Sequence, residues 1–145
     1  MKKEYFVLLI AGAVIALDQL VKFFVAKMQL YASIPVIPNI LHFTYSQNTG
    51  AGFGILKGNN LLLIWLTIVI IGGIFYYLSK IPKKEIVPKL GFSFVLGGAI
   101  GNLIDRIAFG HVIDFIDFRI WPTFNIADSF ISIGAVLLII YYWKK

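Results

Sequence analysis

Seven polar residues stand out as capable of chemistry in an otherwise apolar chain: Asp18, Asn48, Asn102, Arg106, Asp114, Asn125 and Asp128. An ionised side chain deep in a bilayer costs roughly 2.5–3.5 kcal/mol even on the mildest scale, so carboxylates in or beside apolar spans are functional candidates by default. The chemistry open to them narrows by elimination. The chain has no cysteine, which removes thiolate catalysis, disulfides and Cys-ligated metals. Its histidines are His42 and His111, and neither belongs to a His-Glu-x-x-His helix, so a zinc hydrolase would need an unusual carboxylate set. A serine nucleophile activated by lysine is better explained away: Lys22 lies four residues after Asp18 and pairs with it, and Ser129 reads as a helix-entry residue beside Asp128.

A pair of carboxylates remains. Two Asp side chains held close share one proton, because both cannot ionise cheaply side by side. One then acts as a base toward water and the other as an acid toward a carbonyl oxygen, which suffices for peptide hydrolysis without a metal, a cofactor or a covalent intermediate. Asp114 and Asp128 are well placed, one following the third apolar span and the other opening the fourth. The plainer alternative is that Asp128 only caps a helix and Asp114 is solvated, since Asp is common at helix entries.

The elements that must position these residues follow from composition. With 145 residues, 59% hydrophobic and 14% charged, the chain is too short for more than one domain, so residues 1–145 form a single unit. A mean hydropathy of +0.87 is too high for one soluble core and indicates an integral membrane protein. The net charge of +6 comes from short lysine clusters flanking the apolar runs, where topology signals and lipid headgroup contacts are the ordinary explanation and nucleic acid is not implied.

Four stretches are long enough to span, at residues 5–26, 61–78, 90–108 and 126–143. Each gives roughly 27–33 Å of helix, close to the hydrocarbon thickness. The first is too long for a signal-peptide core and reads as a retained helix. Lys2 and Lys3, the group Lys80, Lys83, Lys84 and Lys89, and Lys144 and Lys145 mark three cytoplasmic regions, so both termini are expected inside. The connections 27–60 and 109–125 are then outside, and the polar set gathers toward the outer face. Asp18 falls roughly 20 Å along the first helix, with Lys22 on the same face able to neutralise it. Gly97 with Gly101, and the pair Gly72-Gly73, offer close helix approaches. The segment from Gly110 to Phe118, rich in β-branched and aromatic residues, predicts a short extended element in which Asp114 and Asp117 face opposite sides.

The chain resembles the lipoprotein signal peptidase family, signal peptidase II, in four blocks that cover nearly its whole length. They are Asp18-Gln19-Leu20-Val21-Lys22; Asn48-Thr49-Gly50-Ala51-Gly52-Phe53-Gly54; Gly98-Ala99-Ile100-Gly101-Asn102-Leu103-Ile104-Asp105-Arg106 running on to Gly110-His111-Val112-Ile113-Asp114-Phe115; and Phe124-Asn125-Ile126-Ala127-Asp128. Gly52 stands where the family often has alanine. The resemblance implies an all-α fold of four transmembrane helices in the bacterial cell membrane, with a small extended element and a loop on the outer face. It implies Asp114 and Asp128 as the catalytic pair. It also implies that Asp18, Lys22, Asn48, Gly50, Asn102, Arg106, Asn125 and Ala127 shape the site and position substrate, while Asp105 reads as structural. The implied partners are membrane lipids and a diacylglyceryl-modified prolipoprotein, cut just before the lipidated cysteine. The glycines of the outer loop at 46–57 separately suggest a segment that covers the site during the cut. One chain carries every residue required, so a monomer would suffice. Two rival classes make different demands. A small proton-coupled transporter would set its carboxylates nearer the midplane, often with repeats or broken helices. An assembly protein would use Asp114 and Asp128 only as caps and would tolerate Asn at either.

Overall fold

A computed structural model describes residues 3–50 and 56–145. The second motif block, with Gly52, and the covering loop expected at 46–57 therefore fall in part outside the described residues, as do Met1 and Lys2. The order of elements is α1 (Lys3–Val25), β1 (Ser33–Ile37), β2 (Leu41–Asn48), α2 (Asn60–Lys80), α3 (Ile86–Phe109), β3 (Val112–Asp117) and α4 (Ile126–Trp143). All four helices are long and apolar enough to cross a membrane. The expected spans match them to within a few residues at each end.

The ends of the helices have identifiable causes. Ile81 precedes Pro82, which disfavours helical backbone at Ile81, and α2 stops there in an extended conformation. Gly110 takes the left-handed conformation at φ 78°, donates its N–H to Arg106 O at 3.1 Å and turns the chain sharply from α3 into β3. Helix α4 opens on a capping box in which the Asn125 side chain accepts from Asp128 N while the Asp128 carboxylate accepts from Asn125 N.

Helix α3 is the centre of the bundle, packed against α1, α2 and α4. Its glycines allow the approach. A Cβ at Gly97 would meet Val14 Cβ at 2.7 Å and Ala11 O at 2.8 Å on α1, and one at Gly98 would collide with the Ala127 carbonyl on α4. Gly72 and Gly73, expected to allow a further close approach, have nothing within 4 Å of where a Cβ would sit. Helix α2 buries Leu63 and Ile74 instead and leaves most of its surface outward. Large apolar side chains such as Leu9 on α1, Val69 on α2 and Ile139 on α4 are more than 60% exposed. That outer surface suits lipid, not water.

The strands form one antiparallel sheet in the order β1-β2-β3. Strand β3 is the extended element predicted over 110–118, whereas β1 and β2 were not anticipated in the 27–60 connection. Ser46 pairs with Asp114 and His42 with Asp117, across a bulge between Phe43 and Ser46. An isolated bridge between Ile116 and Phe124 folds the chain back after β3, so that α4 begins beside the strand it follows.

Candidate active site

One end of the bundle gathers the C-terminal ends of α1 and α3, the N-terminal ends of α2 and α4, and the sheet. Asn60 at the start of α2 donates to Arg106 O at 3.0 Å, and Asp18 on α1 accepts from Ala127 N at 2.9 Å. The lysines Lys83, Lys89 and Lys145 meet at the opposite end, where Lys145 pairs with Glu85 at 2.9 Å and Lys89 donates to Lys83 O at 2.6 Å.

Asp114 comes from β3 and Asp128 from the first turn of α4. Asp114 is 1% exposed, and both of its oxygens are held: Oδ1 accepts from Asn125 Nδ2 at 2.8 Å and Oδ2 from Asn48 Nδ2 at 3.0 Å. Asp128 Oδ1 accepts from Asn102 Nδ2 at 2.8 Å and Oδ2 from Asn125 N at 3.3 Å. The two carboxylates are thus joined through Asn125, whose amide reaches Asp114 while its backbone N–H reaches Asp128. Asp128 does cap α4, as the plainer reading supposed, yet its other oxygen is engaged by Asn102 from α3. Burial pushes the Asp114 carboxyl up to about 7 from an ordinary 3.8, and the neighbouring charge of Asp128 pushes in the same direction. Hydrogen bonds from Asn48 and Asn125 and the charge of Lys22 pull the other way. Asp117, three residues on, faces away and is taken up by Thr44 at 2.8 Å and Arg119 at 3.1 Å.

Behind this pair lies a buried ionic cluster. Lys22 Nζ contacts Asp18 Oδ2 at 2.8 Å, Asp105 Oδ2 at 2.8 Å and Asn102 Oδ1 at 3.1 Å. An ammonium has three donors, and all three are spent, so Lys22 is not free to serve as a base for a serine. Ser129 is equally occupied, donating to Asn125 O at 3.0 Å as expected of a helix-entry residue. Arg106 Nη2 donates to Gly50 O at 3.1 Å, and Gly50 N donates to Asn48 Oδ1 at 2.9 Å.

A cavity of about 880 Å³ opens onto the pair, and Asn48, Gly50, Asn102, Arg106, Asp114 and Asp128 all face it. Of the ten site residues expected from sequence, these six form its wall. Asp18, Lys22, Asn125 and Ala127 lie behind the wall and hold it; Ala127 is fully buried beside Gly101. Sequence reasoning missed Gln19, which donates to Asp105 Oδ1 at 2.9 Å and Gly101 O at 3.1 Å, although it sits inside the first motif block. It also missed the bond of 2.7 Å between Ser46 and Thr123, which closes β2 onto the segment leading to α4. No sequence signal marks that pair.

The chain has relatives of known family by sequence and by fold. A family model described as signal peptidase (SPase) II matches residues 10–144. The chain is 51% identical over 142 residues to the lipoprotein signal peptidase of Halothermothrix orenii, covering 97% of this chain and 95% of that one. It is 45% identical to the lipoprotein signal peptidase of Brevibacillus brevis, covering 91% of each. A bacterial membrane enzyme solved by the in meso method at 2.3 Å superposes with a TM-score of 0.92 at 38% identity, over 96% of this chain and 88% of that one.

Proposed function

The chain belongs to the signal peptidase II family of aspartic-type peptidases, which cleaves lipoprotein signal peptides, and we propose that Asp114 and Asp128 are the two groups that perform the hydrolysis. The observation that carries this reading is the pair of carboxylates, each oriented by asparagine amides and both facing one cavity.

With one proton shared by the pair, the ionised Asp removes a proton from water as it attacks the scissile carbonyl carbon. The protonated Asp gives its proton to the carbonyl oxygen, forming a neutral tetrahedral diol. Collapse of that diol breaks the C–N bond, sends a proton to the leaving amine and returns the pair to its singly protonated state. The Arg106 guanidinium and the amide of Asn48 line the same cavity, while their donors in the structure go to Gly50 O and Asp114 Oδ2. Because Lys22 and Ser129 are fully engaged by neighbours, a Ser–Lys mechanism has no support in this arrangement.

The substrate class is the one that membership of the family implies, and it suits the place we assign to the site. The lysine-bearing end of the bundle belongs on the cytoplasmic side by the positive-inside rule, so the aspartate end faces outward with both termini inside. A prolipoprotein carrying a diacylglyceryl group on cysteine is anchored by two acyl chains, which bring the bond before that cysteine to the outer interface, where water can enter. The described chain contributes every group in this scheme, so a monomer suffices.

The test is cleavage of a diacylglyceryl-modified prolipoprotein by the purified chain, beside the unlipidated substrate and beside Asp114→Asn and Asp128→Asn variants with parental melting temperatures. Activity confined to lipidated substrate and abolished in both variants is the expected result. Near-parental activity in either variant would remove the pair as the catalytic group.

A further inference from the structure

The residue immediately before each aspartate of the pair has its peptide N–H held by a second, buried carboxylate. Asp105 Oδ2 accepts from Ile113 N at 3.0 Å, directly before Asp114, and Asp18 Oδ1 accepts from Ala127 N at 2.9 Å, directly before Asp128. Both holding carboxylates grip the same ammonium, Lys22, at 2.8 Å. The ionic cluster therefore ties the strand that carries one aspartate to the helix that carries the other, through a single side chain on α1. Lys22 also donates to Asn102 Oδ1, which accepts from Asn125 Nδ2 at 3.0 Å as well. With two donors on that oxygen, the Asn102 amide can present only its NH2 group to Asp128.

Resting on the reading that Asp114 and Asp128 are the catalytic pair, we propose that Asp105 is a positioning residue which, with Asp18 across Lys22, sets the separation and facing of the two aspartates. Asp105 is fully buried and takes three bonds, from Gln19, Lys22 and Ile113 N, so α1, α3 and β3 converge on one carboxylate. Stability alone is a poor reason to keep such a cluster. Burying ions costs several kcal/mol each, and well-packed apolar replacements are often neutral or better. Geometry is what an apolar replacement would lose, because it cannot hold two peptide N–H groups in fixed relation. A misplacement of about 1 Å at a reacting group is enough to cost about 10²-fold in rate.

Removing the Asp105 charge also changes the field at the pair. Among the described residues, the charged groups around it are Asp18 and Lys22 from α1, Asp105 and Arg106 from α3, and Lys57, which lines the same cavity ahead of α2; β2 offers the neutral Asn48. Deleting one negative charge leaves Lys22 less compensated and favours the ionised form of Asp114.

The experiment compares the parent with Asp105→Asn, with Gln19→Leu, which removes one of the bonds fixing Asp105, and with Asp114→Asn. It measures kcat and KM on a lipidated prolipoprotein, the pH profile of kcat and the melting temperature. For Asp105→Asn the expected result is kcat down about 10- to 100-fold with KM within about two-fold and the high-pH limb displaced to lower pH. Gln19→Leu removes no charge, so it shows a smaller loss of kcat with the pH profile in place; if Asp105→Asn does not fold, a parental kcat per folded Gln19→Leu molecule overturns the proposal. In Asp105→Asn, an unmoved pH profile with activity lost only in proportion to folded protein would reduce Asp105 to a structural residue and overturn the proposal. If Asp114→Asn itself stays active, the catalytic pair is wrong, which is a separate failure.

Discussion

Asn125 donates its side-chain amide to Asp114 Oδ1 at 2.8 Å while its own side-chain oxygen accepts from Asp128 N, so one residue both bridges the carboxylate pair and caps α4. The two roles can be separated. Asn125→Ser keeps a good cap but cannot reach Asp114, whereas Asn125→Ala loses both. Both variants are expected to lose cleavage to a similar extent, with Ala less stable than Ser by about 1 kcal/mol, the worth of a helix cap. Cleavage rates and melting temperatures of the two, side by side, check this. Retained activity in Asn125→Ser would show that the bridge to Asp114 does not matter.

The raised carboxyl of Asp114 fixes the sign of two pH effects. It titrates near 7, against 3.8 for the free side chain, because of burial first and the charge of Asp128 second. Between about pH 4 and about pH 7 the folded chain holds a proton there that the unfolded chain has released, so stability falls as pH rises through that window. Cleavage falls above about pH 7 as the pair loses its shared proton. Asp128→Asn removes the neighbouring charge, so Asp114 in that variant should titrate at lower pH. Carbon-13 NMR of labelled aspartate would show it, and an unmoved Asp114 signal would contradict the coupling.

Much of this was readable in the chain because lipid makes polar residues expensive: Asp18, Asn102, Arg106 and Asp128 stand out in apolar helices. Asp114 was readable from its place in an extended run after Gly110. The hairpin of β1 and β2 was hidden, since Pro35 and Pro38 interrupt its pattern and the side chains of β1 are exposed. The weight of Asp105 was hidden for a different reason. Its partners Gln19 and Lys22 lie more than 80 residues upstream, and only the close approach of α1 and α3 at Gly97 and Gly101 brings them together. Spacing along the chain cannot report that, and Gly72-Gly73 shows the converse, a small-residue pair with no helix against it.

Those glycines make a paired prediction. A methyl at Gly98 would strike the Ala127 backbone carbonyl, which cannot rotate away, and would push α4 from α3 beside Asp128. Gly98→Ala should cost about 1–3 kcal/mol, as overpacking does, and most of the cleavage activity. Gly72→Ala meets nothing and should gain up to about 1 kcal/mol from helix propensity with activity unchanged. Thermal melts in one detergent together with cleavage rates decide it. A neutral Gly98→Ala would mean that the helices separate there without harm.

Arg106 reaches the pair indirectly, and that indirectness can be measured. Its guanidinium holds Gly50 O, Gly50 N holds Asn48 Oδ1, and Asn48 Nδ2 holds Asp114 Oδ2. If Arg106 served only by its charge, Arg106→Lys would preserve activity. The chain of bonds requires instead a donor placed at Gly50 O by a planar fork, which the compact ammonium on a flexible stem does not reproduce. Arg106→Lys is therefore expected to lose about ten-fold or more in kcat, and its effect should overlap with that of Asn48→Ala because both break the same path to Asp114. In a double-mutant cycle on kcat/KM the coupling should fall in the range of about 0.5–3 kcal/mol seen for residues in one hydrogen-bonded network. Strict additivity would mean that Arg106 and Asn48 act on the reaction separately, and the role of Arg106 would then rest on its charge facing the cavity.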